Sequence, residues 1–270
     1  MIGLGTNRLS ASRLAGLGEV WQLRVGQVVE DERSPYSAAA TAALKAAFPT
    51  QWPTIRDYGW QHPALVPFIN EDPMLVCSLI PELGKIRLLI NSGAGYIETN
   101  YKTKANFGID IEFVLQTLNN GENVIGGSSA NGSSAGYEMY PWSSRLLVMA
   151  GNGDYYVNNV QTNKLYRFVH ITTAFELYAD GTLVKSGTLN KSTASANTFW
   201  FFRLHRNSPY GTSTNKLKSC KFYDNGTEVM NFVPFKRTGG TCGVLDLVGL
   251  TFYPDASGNN AFTISETPAS

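Results

Sequence analysis

The sequence predicts a mainly β fold of short antiparallel strands, in a sandwich or a barrel, preceded by a small, partly helical N-terminal segment. Three observations carry this reading. The stretches "KFYDNGTEVMNFVP" and "FELYADGTLVKSG" each set an Asn-Gly or Asp-Gly pair between strand-like runs; such pairs make type I′ hairpins, because both central residues of that turn take positive φ. From Lys85 onward, short runs rich in aromatic and β-branched residues recur between Gly, Asn and Ser turns. Within them "NFGIDIEFVLQ" alternates: Phe107, Ile109, Ile111, Phe113 and Leu115 fall on one face, and Gly108, Asp110, Glu112 and Gln116 on the other.

Composition narrows the function. At 270 residues and 43% hydrophobic, the chain is long enough to bury a core without disulfide or metal staples. Only 16% of residues are charged and the net charge is +1, so no basic excess exists to neutralise phosphates and no nucleic-acid partner is expected. The 3 cysteines, Cys77, Cys220 and Cys242, lie far apart. An odd count with no short spacing predicts small packing residues, not a disulfide framework or a zinc site. No metal and no cofactor are expected. "MIGLGTNRLSASRLAGLG" lacks the apolar core of a signal peptide, and no stretch reaches the length of a membrane span, so synthesis in a cytoplasm and no membrane partner are expected.

The chain divides by pattern into 1–84 and 85–270. In the first part, "SPYSAAATAALKAAFP" predicts a helix with Ser34 as cap, Pro35 at the first helical position and Pro49 just past the end. Tyr36, Ala40, Ala43, Leu44 and Ala47 share one side of it. A second helix is predicted through "ASRLAGLGEVWQLRV". The stretch "PTQWPTIRDYGWQHPALVPFINEDP" is rich in Pro and aromatics and is expected to be ordered but irregular. Its Trp52, Tyr58 and Trp60 are too large and apolar for a free linker, and they are the candidate partner-docking residues. In the second part "RLLVM", "LYRFVHIT", "TFWFFRL" and "KLKSCKFY" continue the series of strands.

The phrases "IRLLINSGAGYIETNYKTKANFGIDIEF", "FELYADGTLV" and "LKSCKFYDNGTEVMNFVPFKRTGGTCGVLDLVGLTFYPDASGNNAF" follow one another in an order that resembles laminin G-like, concanavalin-like jelly-roll modules. Such modules are common in tail, head-fibre and accessory proteins of bacteriophages and in proteins of gut bacteria. The likeness runs from about Ile86 to Phe262 and implies two stacked antiparallel sheets, with both hairpins at sheet edges. "VWQLRVGQVVEDERSPYSAAATAALKAAF" resembles a helical segment of virion proteins from phages of gut Bacteroidetes-type hosts. Together these imply a non-enzymatic structural protein of a virion, placed in a head fibre, as decoration or at the tail. Its N-terminal part would dock to the particle, its jelly roll would project outward, and its partners would be other virion proteins and further copies of itself in a homo-oligomer. The alternative is a glycan-binding module that recognises a host-cell surface. A polysaccharide hydrolase is the third reading.

The hydrolase reading rests on "GIDIEF". β-Glucanases of this fold carry Glu-x-Asp-x-Glu on one strand face, with the outer carboxylates as nucleophile and acid/base. Asp110 and Glu112 would fill the second and third places, but Gly108 stands in the first and supplies no nucleophile. No catalytic residue is therefore predicted. Of the 3 histidines, His170 shares a strand face with Tyr166 and Phe168 and is expected to pack, His205 beside Arg203 and Arg206 is expected to be exposed, and His62 lies in the Pro-rich stretch. The glycan reading rests on "GGSSANGSSAGYEMYPWSS" and "GNGDYYVNN". A sugar offers a CH face to an aromatic ring and hydroxyls to Asp, Asn or Arg. Tyr140, Trp142, Asp154, Tyr155 and Tyr156 are the candidate ligand-binding residues, with Tyr137 and Asn158 beside them.

Overall fold

A computed structural model describes residues 33–118, 125–129, 136–151, 153–206, 211 and 213–268. The chain forms two compact units, one ending at Pro73 and the other running from Met74. The helix predicted through "ASRLAGLGEVWQLRV", and the start of the segment likened to phage virion proteins, lie outside the described residues.

In the first unit, helix α1 (Ala38–Ala47) is capped by Ser37, whose side chain accepts the Ala40 N–H at 3.2 Å. This corrects the expectation of Ser34. Tyr36 is tied outside the helix, its hydroxyl donating to the Ile55 carbonyl at 2.6 Å, so the first turn starts one serine later. Ser34 accepts the Tyr36 N–H instead. Ala40 and Leu44 face inward as the spacing predicts; Ala47 is exposed, and Phe48 is buried at that end. The Pro-rich stretch is helical, not irregular. It forms α2 (Trp52–Gln61), a 3₁₀ turn at Pro63–Leu65, and α3 (Val66–Glu71). Pro53, Pro63 and Pro67 each sit in the first turn of their element, where the missing N–H has no partner to lose and the fixed φ suits the helix. Prolines that read as breakers act as starters.

The second unit opens with the short helix α4 (Val76–Leu79). Its larger sheet then takes β1 (Lys85–Asn91), β3 (Phe107–Val114), β8 (Leu165–His170), β9 (Ala174–Ala179), β10 (Thr182–Thr188), β13 (Lys216–Asp224), β14 (Thr227–Lys236), β15 (Cys242–Asp246), β16 (Thr251–Pro254) and β17 (Phe262–Pro268). The smaller sheet takes β2 (Ile97–Lys102), β4 (Gly126–Ser129), β5 (Gly136–Trp142), β6 (Arg145–Ala150), β7 (Gly153–Val157), β11 (Thr198–Phe201) and β12 (Leu204–His205). The long path of the first sheet runs β10-β9-β8-β3-β13-β14-β15-β16, and that of the second β2-β11-β4-β5-β6-β7. All pairings among the described residues are antiparallel except β12 with β4.

Both predicted hairpins are present. Asn225 and Gly226 take φ 50° and 82°, and Asp180 and Gly181 take 47° and 78°, the double positive φ of a type I′ turn. Only one of them lies at an edge. β9–β10 ends the first sheet, but β13 is central, pairing with β1, β3 and β14. The expectation that both are edges is corrected: Cys220 and Phe222 on β13 are fully buried and fill the middle of the core, which an edge strand could not do.

The core lies between the two sheets. The alternating residues of β3 point into it, and Phe107, Ile109, Ile111, Phe113 and Leu115 are all buried. Rings from the two sheets meet edge-on. Phe107 meets Tyr137 at 5.3 Å between centroids, Phe199 meets Phe222 at 4.8 Å, and Phe201 meets Phe232 at 5.3 Å. Edge-to-face packing sets the positive rim of one ring on the negative face of the next, which stabilises beyond the area buried. The three cysteines are free and buried, as packing residues should be.

Candidate functional site

The outer surface of the second sheet is built from the alternation of β5, β6 and β7. On β5, Tyr137 and Met139 join the core, so Glu138, Tyr140 and Trp142 face outward. Ser143 and Ser144, with φ 49° and 61°, turn the chain tightly into β6. Register then fixes three rows. Trp142 lies opposite Arg145; Tyr140 opposite Leu147 and Leu147 opposite Tyr156; Glu138 opposite Met149 and Met149 opposite Asp154.

Four of the five candidate glycan residues therefore share one face: Tyr140, Trp142, Asp154 and Tyr156. Tyr155 departs from them. It pairs with the core residue Val148, and its ring meets Phe175 at 4.5 Å. Of the four, Trp142 is 37% and Tyr156 36% exposed. Tyr140 is buried in a small cluster with Leu147, Met149 and Leu204 on the outside of the sheet, and it meets Trp142 edge-on at 6.3 Å. Strands lie ~4.8 Å apart, so Tyr156 is about 10 Å across the sheet from the strand of Trp142, roughly the span of two linked pyranose rings.

Charge is arranged around these rings. The Arg145 guanidinium lies over the Tyr156 ring, 4.4 Å from its centroid. Arg206, its guanidinium over the Tyr140 ring at 5.8 Å from the centroid, grips the buried Glu138 carboxylate with two parallel hydrogen bonds, Nε at 2.9 Å and Nη2 at 2.5 Å. Burial works against the charge on Arg206, but the Glu138 carboxylate outweighs it and holds the guanidinium pKa above its ordinary value. Sequence reading missed Arg145, Arg206 and Glu138. Arg145 had a signal, since a two-residue turn at Ser143-Ser144 sets it opposite Trp142. The pairing of Arg206 with Glu138 spans 68 residues and left no local trace.

The carboxylates of β3 are engaged elsewhere. Asp110 binds Arg167 through both oxygens, at 2.9 and 2.6 Å. Glu112 binds Lys218 and Ser219, each at 2.8 Å. At Gly108 a Cβ would stand 2.8 Å from the Ile171 Cα and 2.9 Å from the His170 carbonyl oxygen. Backbone crowding, then, excludes any side chain at the place a nucleophile would occupy.

His170 packs in the core with Nδ1 3.3 Å from the Tyr137 hydroxyl, and burial lowers its pKa to about 4. His205 is half-buried instead of exposed, because its ring stacks on Trp200 at 4.0 Å between centroids. In the first unit, Trp52 is buried against Tyr36, with the Lys45 ammonium 5.4 Å above its ring. Tyr58 meets the His62 ring at a tilt, 4.4 Å between centroids, and Trp60 is 56% exposed. Among the described residues no group of three or more His, Cys, Asp or Glu side chains is placed to hold a metal, and no helix is long and apolar enough to cross a membrane.

The strand order and the two stacked sheets define a jelly-roll type of β-sandwich. No family model matches the chain, and no curated protein matches it. Solved structures with a similar course include a candidate carbohydrate-binding protein from Bacteroides ovatus, 13% identical with a TM-score of 0.46, the match covering 69% of this chain and 62% of that one. They also include a heptameric pentraxin from Limulus polyphemus, 10% identical, TM-score 0.37, covering 53% and 77%. A sialidase from Trypanosoma rangeli is 15% identical with a TM-score of 0.33, covering 52% and 25%. The chain thus spans 62% of the Bacteroides protein's length and 25% of the sialidase's. The assignment of the fold rests on the strand pairing of this chain itself.

Proposed function

We propose that the second unit is a non-enzymatic carbohydrate-binding module that holds a glycan on the outer face of its second sheet. The observation that carries this is the placement of Trp142 beside Arg145, with Tyr156 under the Arg145 guanidinium and Asp154 two residues further along the strand of Tyr156, all on that face. An exposed indole offers a stacking platform for the CH face of a sugar, the guanidinium beside it offers donors for hydroxyls, and the Asp154 carboxylate further along the face offers acceptors. Tyr140, which meets Trp142 edge-on and is itself held by the Glu138–Arg206 pair, fixes the platform, since a site works when its supporting residues are locked. The absence of chemistry is supported by β3, where Asp110 and Glu112 are neutralised by cross-strand partners and Gly108 leaves no room for a nucleophile. A glycan array tests this reading. The wild-type protein should bind, and Trp142→Ala and Tyr156→Ala should each abolish the signal while keeping the melting temperature. A wild-type protein that binds no glycan ends the reading.

A structural role on a bacteriophage particle is the second reading, and the two are compatible: a virion protein can carry a glycan-binding module. It is favoured by Trp60, an apolar side chain 56% exposed on the first unit, since large exposed aromatics serve as interface anchors. Its partners would be other virion proteins and further copies of this chain. Antibody against the protein should label particles in negative-stain micrographs; labelling of bacterial surfaces alone would contradict it.

A further inference from the structure

Tyr156 belongs to two surfaces. Its strand, β7, is one edge of the second sheet, and β10 is one edge of the first. Between these edges the sandwich opens into a cleft of about 750 Å³. Tyr155, Tyr166 and Leu177 line its inner part, which accounts for Tyr155 facing away from the other candidate residues. The connection from β7 to β8 supplies Asn158, Asn159 and Gln161. That connection is pinned, because the Gln161 N–H donates to the Tyr166 hydroxyl at 2.6 Å. From β10 come Val184, left without a partner by a register shift between Leu183 and Lys185, and Lys185 itself.

The polarity of this lining selects its ligand. It carries three amides, tyrosines and two lysines, Lys164 and Lys185, and no carboxylate. Asp180, outside the lining, meets Lys164 at 3.6 Å in an exposed pair and offsets part of its charge, which leaves Lys185 as the main cation of the cleft. A purely apolar ligand would strand the amides and ammonium groups without partners. A second copy of the chain paired edge to edge through β10 would, in an antiparallel register centred on Lys185, set two ammonium groups opposite each other, and edge lysines discourage such pairing. Amides that exchange hydrogen bonds with hydroxyls, together with cations that meet carboxylates, fit an acidic sugar.

We infer that the cleft binds the carboxylate-bearing residues of an acidic oligosaccharide, continuing past Tyr156 from the chain held on the outer face; this rests on the glycan reading above. Isothermal titration of the full-length protein with the hexamer of galacturonic acid and the hexamer of galactose tests it. The acidic hexamer should bind about tenfold more tightly, the difference expected of one well-placed charge-assisted hydrogen bond, and the preference should fade at high salt. The double variant Lys164→Gln/Lys185→Gln should lose the preference and keep the weaker binding of the neutral hexamer. Equal affinity for the two hexamers, binding of neither, or a preference that survives the double substitution overturns the inference. Array binding of neutral glycans that disappears in Trp142→Ala, with no preference for the acidic hexamer, leaves the outer face standing and removes the cleft alone.

Discussion

The Arg145 guanidinium lies over the ring of Tyr156, 4.4 Å from its centroid, on the outer face of the second sheet. The pair joins residues of adjacent strands, and it sets a cation and an aromatic ring beside an exposed indole. Arg145 covers one side of the tyrosine ring and presents its N–H groups along the surface. Removing it should therefore weaken glycan binding more than it weakens the fold. Arg145→Ala is expected to lower affinity on the array about tenfold, while stability falls by only ~0.5–1 kcal/mol in urea denaturation, the size of an exposed cation–π contact.

Arg206 and Glu138 present the opposite case, because Glu138 is buried. Arg206→Met leaves a buried carboxylate without its counter-ion. Breaking a buried pair in this way costs ~3–5 kcal/mol, and the lower end applies here since Arg206 keeps some solvent access. Glu138→Gln/Arg206→Met together should recover part of the loss. Thermal denaturation of the three variants checks this.

The middle of the core should be the least tolerant place in the chain. Phe222 is fully buried and its ring meets Phe107, Phe199 and Phe232 edge-on. Phe222→Ala should cost ~3–5 kcal/mol, read as a shift of the urea midpoint with unchanged slope. Leu183→Ala, on the exposed edge strand β10, should cost less than ~0.5 kcal/mol.

Stability should fall in mild acid through His170. Burial between the sheets lowers its pKa from 6.5 to about 4. The unfolded chain takes up a proton near pH 6.5 and the folded chain only near pH 4, so between these values the unfolded state binds more protons. The contribution is complete above pH 6.5 and drains away as pH drops through that window, by about 3 kcal/mol in all. Denaturation measured across the window should show the slope in the wild type and lose most of it in His170→Asn.

Gly108 was legible as a missing nucleophile, and the structure supplies the physical reason: the backbone of residues 170–171 crosses where a Cβ would stand. Period-two alternation placed every inward residue of β3, and Asn225-Gly226 and Asp180-Gly181 gave both hairpins, because these signals are local. Whether a hairpin lies at an edge is a long-range fact, set by what pairs beyond it, and the central position of β13 left no mark within its own strand. The Pro-rich stretch misled for a different reason: proline spacing alone does not tell a broken helix from a series of short ones, each begun by its own proline. At the candidate site, aromatic content named Tyr140, Trp142 and Tyr156. Parity within β7 could have separated Tyr155 from Tyr156, since adjacent strand residues must face opposite ways. The buried Glu138–Arg206 support, formed across 68 residues, was beyond any local pattern.

The most direct test of glycan binding on the outer face of the second sheet uses the indole N–H signals of the 5 tryptophans in a nitrogen-15 correlation spectrum. Titration with a glycan taken from the array should move the Trp142 signal, assigned by its loss in Trp142→Phe, and leave those of Trp52 and Trp60 in place. A bound glycan that moves Trp60 and not Trp142, or no indole at all, would contradict the account.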